Sequence, residues 1–191
     1  MIVITPHNCI ENESNYIHAL FEEGLDLLHV RKPDFTETEM RTYINGIQPK
    51  FHHKIVLHQF HHLAEEFYFD RIHLSNPNQS LPNRPIDRKS TSSHSIEAFN
   101  LLGSDYDYAF LSPVYPSISK IGYRSKINLT ETVKQRTNFK TKLVALGGID
   151  TDNIQQTLKN GFDDVALLGT IWLSANPLET FKKCQQIVHS F

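Results

Sequence analysis

The chain has 191 residues, 39% of them hydrophobic and 21% charged, with a formal net charge of −2 at pH 7. This composition is typical of an ordinary globular protein and lacks the basic excess that nucleic acids or anionic lipids attract. We therefore expect no nucleic-acid partner and no membrane partner. The length suits one domain, residues 1–191, with one hydrophobic core.

The sequence contains no recognisable targeting signal and no cysteine motif. The N-terminal segment has no basic region followed by a long apolar run, and no later run approaches the roughly 20 apolar residues that span a bilayer. Only Cys9 and Cys184 are present, and neither lies in a C-x-x-C context. We therefore predict a cytoplasmic protein with two free thiols.

Short β-branched apolar runs recur along the chain with helical patterns between them. This alternation favours parallel strands joined by crossover helices. Eight strands are predicted, at 2–5, 27–31, 54–58, 71–74, 89–92, 108–111, 143–146 and 164–168. The count predicts an α/β protein that closes into a (β/α)8 TIM barrel, with a doubly wound open sheet as the alternative.

Helix starts are marked by residues that cap the backbone. They lie at Thr36 with Glu39, at Ser95, at Thr151 and at Asn176–Pro177. The pattern weakens around strands three and four. Segment 61–69, after strand three, is barely long enough for a helix, and segment 76–87, after strand four, is rich in Pro and Asn. We expect a reduced helix near these strands.

Glycines follow the seventh and eighth predicted strands, at Gly147, Gly148 and Gly169, the last followed by Thr170. Barrels of this type build their functional sites at the carboxyl ends of the strands and often bind phosphate after strands seven and eight. Backbone N–H groups there bind phosphate without a charged side chain. The sequence predicts a phosphate site, and the alternative is that these glycines only permit tight turns and close packing.

Charged and hydroxyl side chains add candidates at the same end of the barrel. Arg31 follows strand two, and its planar guanidinium suits a carboxylate or phosphate. Lys120 lies beside Ser117 and Ser119 in a long connection, 112–128, of the kind that covers substrate in barrels. We predict that this connection helps to bind an anion.

The 11 histidines invite a metal hypothesis, because five of them fall between residues 52 and 62. Their spacing matches no established zinc-ligand motif, and adjacent side chains in a strand point to opposite faces. The sequence therefore predicts no metal site.

Six motifs, in order along the chain, resemble the TenI/thiamine phosphate synthase family. They are DLLHVR at 26–31, SSHSIE at 92–97, DYAFLSPVYPSISK at 107–120, LVALGGI at 143–149, the stretch 161–171, and ANPLE at 175–179. The resemblance implies a thiamine-pathway barrel whose seventh and eighth βα loops hold a thiazole phosphate.

Two departures from the synthase pattern bear on the reaction. The synthases hold magnesium with acidic residues after strands three and four, where this chain has Gln59 and Pro77 or Asn78. Neutral amides are poor ligands for a Mg²⁺-diphosphate. In addition, Arg31-Lys32-Pro33 replaces the R-E-K order. The resemblance therefore implies no cofactor, with Mg²⁺ required only if the chain is a synthase.

TenI-type proteins lack the same acids and isomerise a thiazole carboxylate phosphate, a proton transfer suited to imidazole. Their catalytic histidine after strand six is absent here, where the chain has Ser112-Pro-Val-Tyr, so His29, His58 or His73 would have to replace it.

The leading expectation is a tautomerase-like enzyme with catalytic His29, Arg31 and Lys120 and a small-molecule thiazole phosphate ligand. The alternatives are a thiamine phosphate synthase, which couples a pyrimidine diphosphate to a thiazole phosphate, and a non-catalytic phosphate-ligand-binding regulator. A homodimer is one assembly that the sequence permits.

Overall fold

Eight parallel strands form the centre of the molecule in the computed structural model, which describes residues 1–75, 81–118, 122 and 128–191. The strands are β1 (Ile2–Ile4), β2 (Leu27–Val30), β3 (Ile55–Leu57), β4 (Arg71–Leu74), β5 (Arg88–Ser93), β6 (Tyr108–Leu111), β7 (Lys142–Leu146) and β8 (Asp164–Leu167). Each pairs with the next, and β8 pairs back to β1, which closes the barrel. The predicted (β/α)8 barrel is confirmed, and all eight predicted strands are present.

Helices connect the strands on the outside of the barrel. They are α1 (Glu13–Glu22), α2 (Glu37–Asn45), α3 (Leu63–Glu66), α4 (Ile96–Asn100), α5 (Leu129–Thr132), α6 (Ile154–Lys159), α7 (Gly169–Trp172) and α8 (Pro177–His189). Two 3₁₀ turns, Pro49–Lys54 and Val133–Gln135, complete the connections. Within the described part of the chain, no helix is both long enough and apolar enough to cross a membrane.

Three of the four predicted helix starts are confirmed by side-chain caps. Thr36 forms the capping box, and the side chains of Ser95 and Asn176 each accept a backbone N–H bond at the start of their helices. The prediction for Thr151 is wrong, because α6 begins later with Asn153 at its N-cap.

The predicted weak region near β3 and β4 is also confirmed. Helix α3 has only four residues, and segment 81–87 contains no helix. The guanidinium of Arg84 donates to the carbonyl of Phe69 at 2.5 Å, and its backbone N–H donates to Glu65 Oε1 at 3.0 Å. These bonds tie the irregular segment to the end of the short helix in place of helix packing.

Side chains alternate between the two faces of each strand, as the period of a β-strand requires. Outward residues pack against the helices in the larger hydrophobic core. The smaller core fills the barrel interior with six residues: Ile2, Ile4, Tyr108, Phe110, Val144 and Ala166. They come from β1, β6, β7 and β8, so this side of the interior is largely apolar.

A buried ion pair anchors the loop after β2 to the helical layer. Lys32 is fully buried, and its Nζ lies 2.8 Å from Oε1 of Glu13, which is 5% exposed. The hydroxyl of Tyr43 donates to the same carboxylate at 2.5 Å. Burial, followed by the Glu13 charge, raises the pKa of Tyr43, so the phenol stays protonated. Lys32 therefore belongs to the helical layer outside the barrel, where it is paired with Glu13.

Substituting Glu13→Gln is expected to lower the free energy of unfolding by about 3–5 kcal/mol, because the Lys32 ammonium would stay buried without its counter-ion. Urea denaturation measures the change. Adding Lys32→Met to Glu13→Gln should restore part of the lost stability. The matched control, Lys50→Gln, breaks the exposed pair with Glu22 and should change stability by less than about 1 kcal/mol.

Candidate active site at the carboxyl ends of the strands

A cavity of about 310 Å³ opens at the carboxyl ends of the strands. Six of the sequence-predicted site residues line it: Arg31, Ser117, Gly147, Gly148, Gly169 and Thr170. Ser119 and Lys120, also predicted, lie outside the described residues. His29 is fully buried beneath the cavity. Most of the predicted set is thus brought together at one end of the barrel.

The glycines after β7 are needed for close packing of two loops. Gly147 and Gly148 have φ values of +98° and +65°, which side-chain-bearing residues rarely adopt. A Cβ on Gly147 would lie 2.8 Å from Cα of Pro113, and one on Gly148 would lie 2.7 Å from Cβ of Tyr115. The loop after β6 therefore runs directly over these glycines, and its Tyr115 N–H donates to the Gly147 carbonyl at 3.0 Å.

The end of β8 leads straight into α7, which begins at Gly169. The first N–H groups of a helix have no partner within the helix, and here they belong to Gly169 and Thr170 at the cavity wall. The Thr170 hydroxyl donates to the carbonyl of Ile149, which joins the β8 end to the loop after β7. Residues of both loops therefore line one cavity.

Arg31 directly follows β2, which lies two strands from β8 around the barrel. Its backbone N–H donates to Thr5 Oγ1 at 2.9 Å, and the Thr5 hydroxyl returns a bond to the Arg31 carbonyl at 3.2 Å. The backbone is thereby fixed while the half-buried guanidinium lines the cavity. Arg31 supplies a positive charge facing the site.

Three histidines from β2, β3 and β4 meet in the barrel interior; we call His29, His58 and His73 the imidazole cluster. His29 Nδ1 and His58 Nε2 are 2.8 Å apart, in hydrogen-bond contact. The rings of His58 and His73 stack with centroids 4.1 Å apart. His58 and His73 also line the cavity, so the cluster forms part of its floor.

Hydroxyl groups satisfy the remaining sides of the cluster. Tyr108 Oη lies 2.5 Å from His29 Nε2. Ser90 Oγ and Ser92 Oγ lie 2.9 and 3.1 Å from the two ring nitrogens of His73. Phe110 packs on the rings of both His29 and His73. The polar groups of β2 to β6 thus form one hydrogen-bonded network under the cavity.

Burial keeps these imidazoles uncharged at neutral pH. Desolvation lowers the pKa of His29 and of His58 well below the usual value, and the neighbouring His73 lowers each pKa further. For His73, burial and then the charges of His61 and Arg31 lower the pKa to about 3. Neutral imidazole both donates and accepts hydrogen bonds, so each ring can have one partner of either kind.

Sequence reasoning named all three histidines as candidates and placed only His29 in the expected catalytic set, yet His58 and His73 are the members that line the cavity. Strand phase indicates which side chains point inward. Side chains two residues apart in a strand point to the same face. Arg31 and Ser75 line the cavity, so His29 and His73, each two residues earlier, point into the barrel. His94 also lines the cavity, where its Nδ1 contacts the Ser112 carbonyl at 2.8 Å.

The residues where the synthases place magnesium ligands do not supply an acid here. The Gln59 side chain donates to the Lys32 carbonyl at 2.7 Å, and Pro77 and Asn78 lie outside the described residues. No Asp or Glu is found among the described residues that line the cavity. Magnesium prefers oxygen ligands that include carboxylates, so the described lining does not fit this ion.

The closed parallel barrel, with its cavity at the carboxyl ends of the strands, has the layout in which β/α-barrel enzymes carry their active sites. A family model described as thiamine monophosphate synthase matches residues 1–171. The chain therefore belongs to this thiamine-biosynthesis family, as its motifs suggested.

Individual relatives agree with this assignment. A thiamine-phosphate synthase of Nostoc sp. is 23% identical over 172 residues, covering 84% of this chain and 48% of the Nostoc protein. A thiamine phosphate pyrophosphorylase structure from Bacteroides thetaiotaomicron is 34% identical, has a TM-score of 0.81, and is matched over 99% of this chain and 97% of its own.

A second thiamine phosphate pyrophosphorylase structure, from Pyrococcus furiosus, has a TM-score of 0.79 and 19% sequence identity. The match covers 99% of this chain and 95% of the Pyrococcus chain, and at this identity it supports the fold alone. The chain spans about half the length of the Nostoc relative.

Substituting Gly148→Ala is expected to lower the free energy of unfolding by about 1–3 kcal/mol, because alanine disfavours the positive φ and its Cβ meets the loop after β6. Urea denaturation measures the loss. The matched control is Gly103→Ala, where an added Cβ has no heavy atom within 4 Å and stability should stay within about 0.5 kcal/mol. Equal effects at the two positions would contradict this account.

Acid is expected to destabilise the protein through the imidazole cluster. The pKa of each imidazole is lower in the folded than in the unfolded chain, so below about pH 6.5 the unfolded chain binds more protons and stability falls. Each neutral imidazole should contribute about 1 kcal/mol of loss from about pH 6.5 to 5.5. Urea denaturation across this range, with a chelator present, measures the slope.

The substitution His73→Gln should reduce this pH dependence by the contribution of one imidazole. His94→Gln removes an exposed imidazole outside the cluster and is the variant against which the His73→Gln slope is compared. An unchanged slope in His73→Gln would show that folding does not lower the pKa of His73.

Proposed function

We propose that the cavity binds a thiazole phosphate of thiamine biosynthesis, with the phosphate at the glycine loops and the ring above the imidazole cluster. The observation that carries the proposal is the placement of the loops after β7 and β8 and of Arg31 around one cavity. Two of the family-like motifs, LVALGGI at 143–149 and the stretch 161–171, include the glycines of these loops. The family assignment supports the ligand class.

The phosphate end of the proposed ligand is matched by backbone donors. The N–H groups at the glycine loops and at the start of α7 favour an anion and need no charged side chain. The hydroxyl of Ser117 adds a polar group on the cavity wall. Arg31 contributes a cation on the β2 side, where a second anionic group of a substrate would be stabilised.

The ring end of the proposed ligand is matched by flat and apolar surfaces. Phe110, Leu146 and Leu168 line the cavity together with the imidazoles of His58 and His73. Aromatic and aliphatic side chains of this kind bury a planar heterocycle, while a few polar groups fix its orientation. The cavity thus has separate regions for the ring and for the phosphate.

The first candidate reaction is the coupling of a pyrimidine diphosphate to the thiazole phosphate. The comparisons favour it over the isomerisation, because the relatives are named thiamine-phosphate synthases or pyrophosphorylases. In this reaction Arg31 would stabilise the departing diphosphate by a charge-assisted hydrogen bond. The described lining lacks the carboxylates for magnesium, so no step is assigned to that ion.

The second candidate is isomerisation of a thiazole carboxylate phosphate, and the imidazole cluster is the observation that favours it. A proton transfer requires a neutral base within hydrogen-bond reach of the ligand. His58 and His73 line the cavity, and burial holds both neutral. His29 would then act as a positioning residue, since it contacts His58 beneath the cavity surface.

Calorimetric titration with thiazole phosphate and with pyrimidine diphosphate, each with and without Mg²⁺, tests the proposal. We expect thiazole phosphate to bind. Arg31→Ala should weaken the binding of the anionic ligand that Arg31 faces by about 10- to 100-fold, as the loss of a charged hydrogen bond predicts. The matched control is Arg41→Ala, which removes an arginine paired with Glu37 and Glu66 on the surface.

The outcomes separate the candidate functions. Binding of pyrimidine diphosphate with Mg²⁺ and formation of thiamine phosphate would establish the coupling reaction. Binding of thiazole phosphate alone, with accelerated tautomer conversion, would establish the isomerase. Binding with neither reaction would leave a ligand-binding regulator. If neither compound binds, the proposed ligand class is wrong.

A further inference from the structure

The imidazole cluster has a feature that neither candidate reaction explains. One ring nitrogen from each of His29, His58 and His73 lies within 4.8 Å of those of the other two. These residues are 0%, 8% and 1% exposed, so three polar rings are gathered in the interior of a barrel. We propose that the imidazole cluster binds one transition-metal dication of the Zn²⁺ or Co²⁺ type.

The donor atoms determine the class of metal. All three are imidazole nitrogens, which suit zinc, cobalt, nickel and copper, whereas magnesium and calcium prefer oxygen. Within the described part of the cavity wall no carboxylate is available to recruit a hard cation. The ion expected here is therefore different from the magnesium of the synthase reaction.

The spacing of the nitrogens requires only side-chain adjustment. Tetrahedral coordination with Zn–N bonds of about 2.0–2.1 Å places nitrogens about 3.3 Å apart. His29 Nδ1 and His58 Nε2 are 2.8 Å apart and need to separate slightly. The His73 ring, which stacks on His58 at 4.1 Å, needs to turn toward them. Adjacent strands fix the backbones of all three residues, because β2, β3 and β4 pair in sequence.

Oxygen acceptors are in place for the outer ring nitrogens of His29 and His73. A histidine that binds metal usually donates its other N–H to a neighbouring acceptor, which sets its orientation. Tyr108 Oη contacts His29 Nε2, and Ser90 and Ser92 contact the two nitrogens of His73. One serine would keep its bond while the other nitrogen turns to the ion.

The cavity supplies both the route to the site and its open coordination position. His58 and His73 line the cavity floor, so an ion entering from the cavity meets two ligands directly. Three protein nitrogens leave a fourth position free, as in catalytic rather than structural zinc sites. This position faces the cavity, where an anionic ligand would offset the charge of the ion.

The experiment uses tag-free protein that has been treated with a chelator and then dialysed into chelator-free buffer. Titration calorimetry with Zn²⁺ and visible absorption with Co²⁺ measure binding. We expect one equivalent of each ion, with the absorption bands of nitrogen-bound Co²⁺, and no heat with Mg²⁺. Separate His58→Gln and His73→Gln substitutions should each weaken Zn²⁺ binding at least 100-fold.

The matched control is His62→Gln, which removes an exposed imidazole in the histidine-rich segment outside the cluster and should leave binding unchanged. Circular dichroism establishes that the variants are folded. The proposal is overturned if the parent protein binds no stoichiometric Zn²⁺, if folded His58→Gln and His73→Gln variants both retain binding, or if His62→Gln loses it. Thiazole phosphate titration is a separate measurement, so failure of either proposal is recognised independently.

Discussion

Every polar side chain that points into this barrel must find its hydrogen-bond partner inside, because a closed sheet leaves little room for water. The strands differ in how many polar side chains they place in the interior. The interior side of β1 and β6 to β8 is mainly aliphatic and aromatic, whereas β2 to β5 contribute imidazoles and hydroxyls. Tyr108 links the two sides, since its ring belongs to the apolar core and its hydroxyl contacts His29.

This division explains why the two sides of the cavity carry different chemical groups. The floor on the side of β2 to β5 carries neutral imidazoles, while the wall on the side of β7 and β8 includes three glycines. At Gly147 and Gly148 a side chain would displace the loop after β6.

The sequence was sufficient for the fold and for the general position of the site. The fold can be predicted from local features: eight β-branched runs mark the strands, and Thr36, Ser95 and Asn176 cap helices. The glycines after the last two strands mark the loops at the cavity. The start of α6 was misassigned because Thr151 and Asn153 are both good caps, and only the path of the loop selects Asn153.

The sequence named the three histidines of the imidazole cluster separately, but it could not show that their rings meet. His29, His58 and His73 are separated by 29 and 15 positions in the chain, and no local pattern joins them. Their convergence depends on the register of three strands and on which face each histidine takes, and a shift of one residue would reverse that face. Lys32 shows the same limit, because its burial against Glu13 depends on how α1 packs on the barrel.

Barrel closure has a consequence for the order in which the chain becomes structured during synthesis. Strand β1 pairs with β8, and the indole N–H of Trp172 donates to the Ile4 carbonyl at 2.7 Å. One edge of β1 therefore waits until about 160 further residues have left the ribosome, which takes on the order of ten seconds. Its apolar sequence, Ile-Val-Ile, is the kind of unpaired edge that other chains capture. The nascent chain is thus exposed to misassembly at β1 during the whole period before β8 is synthesised.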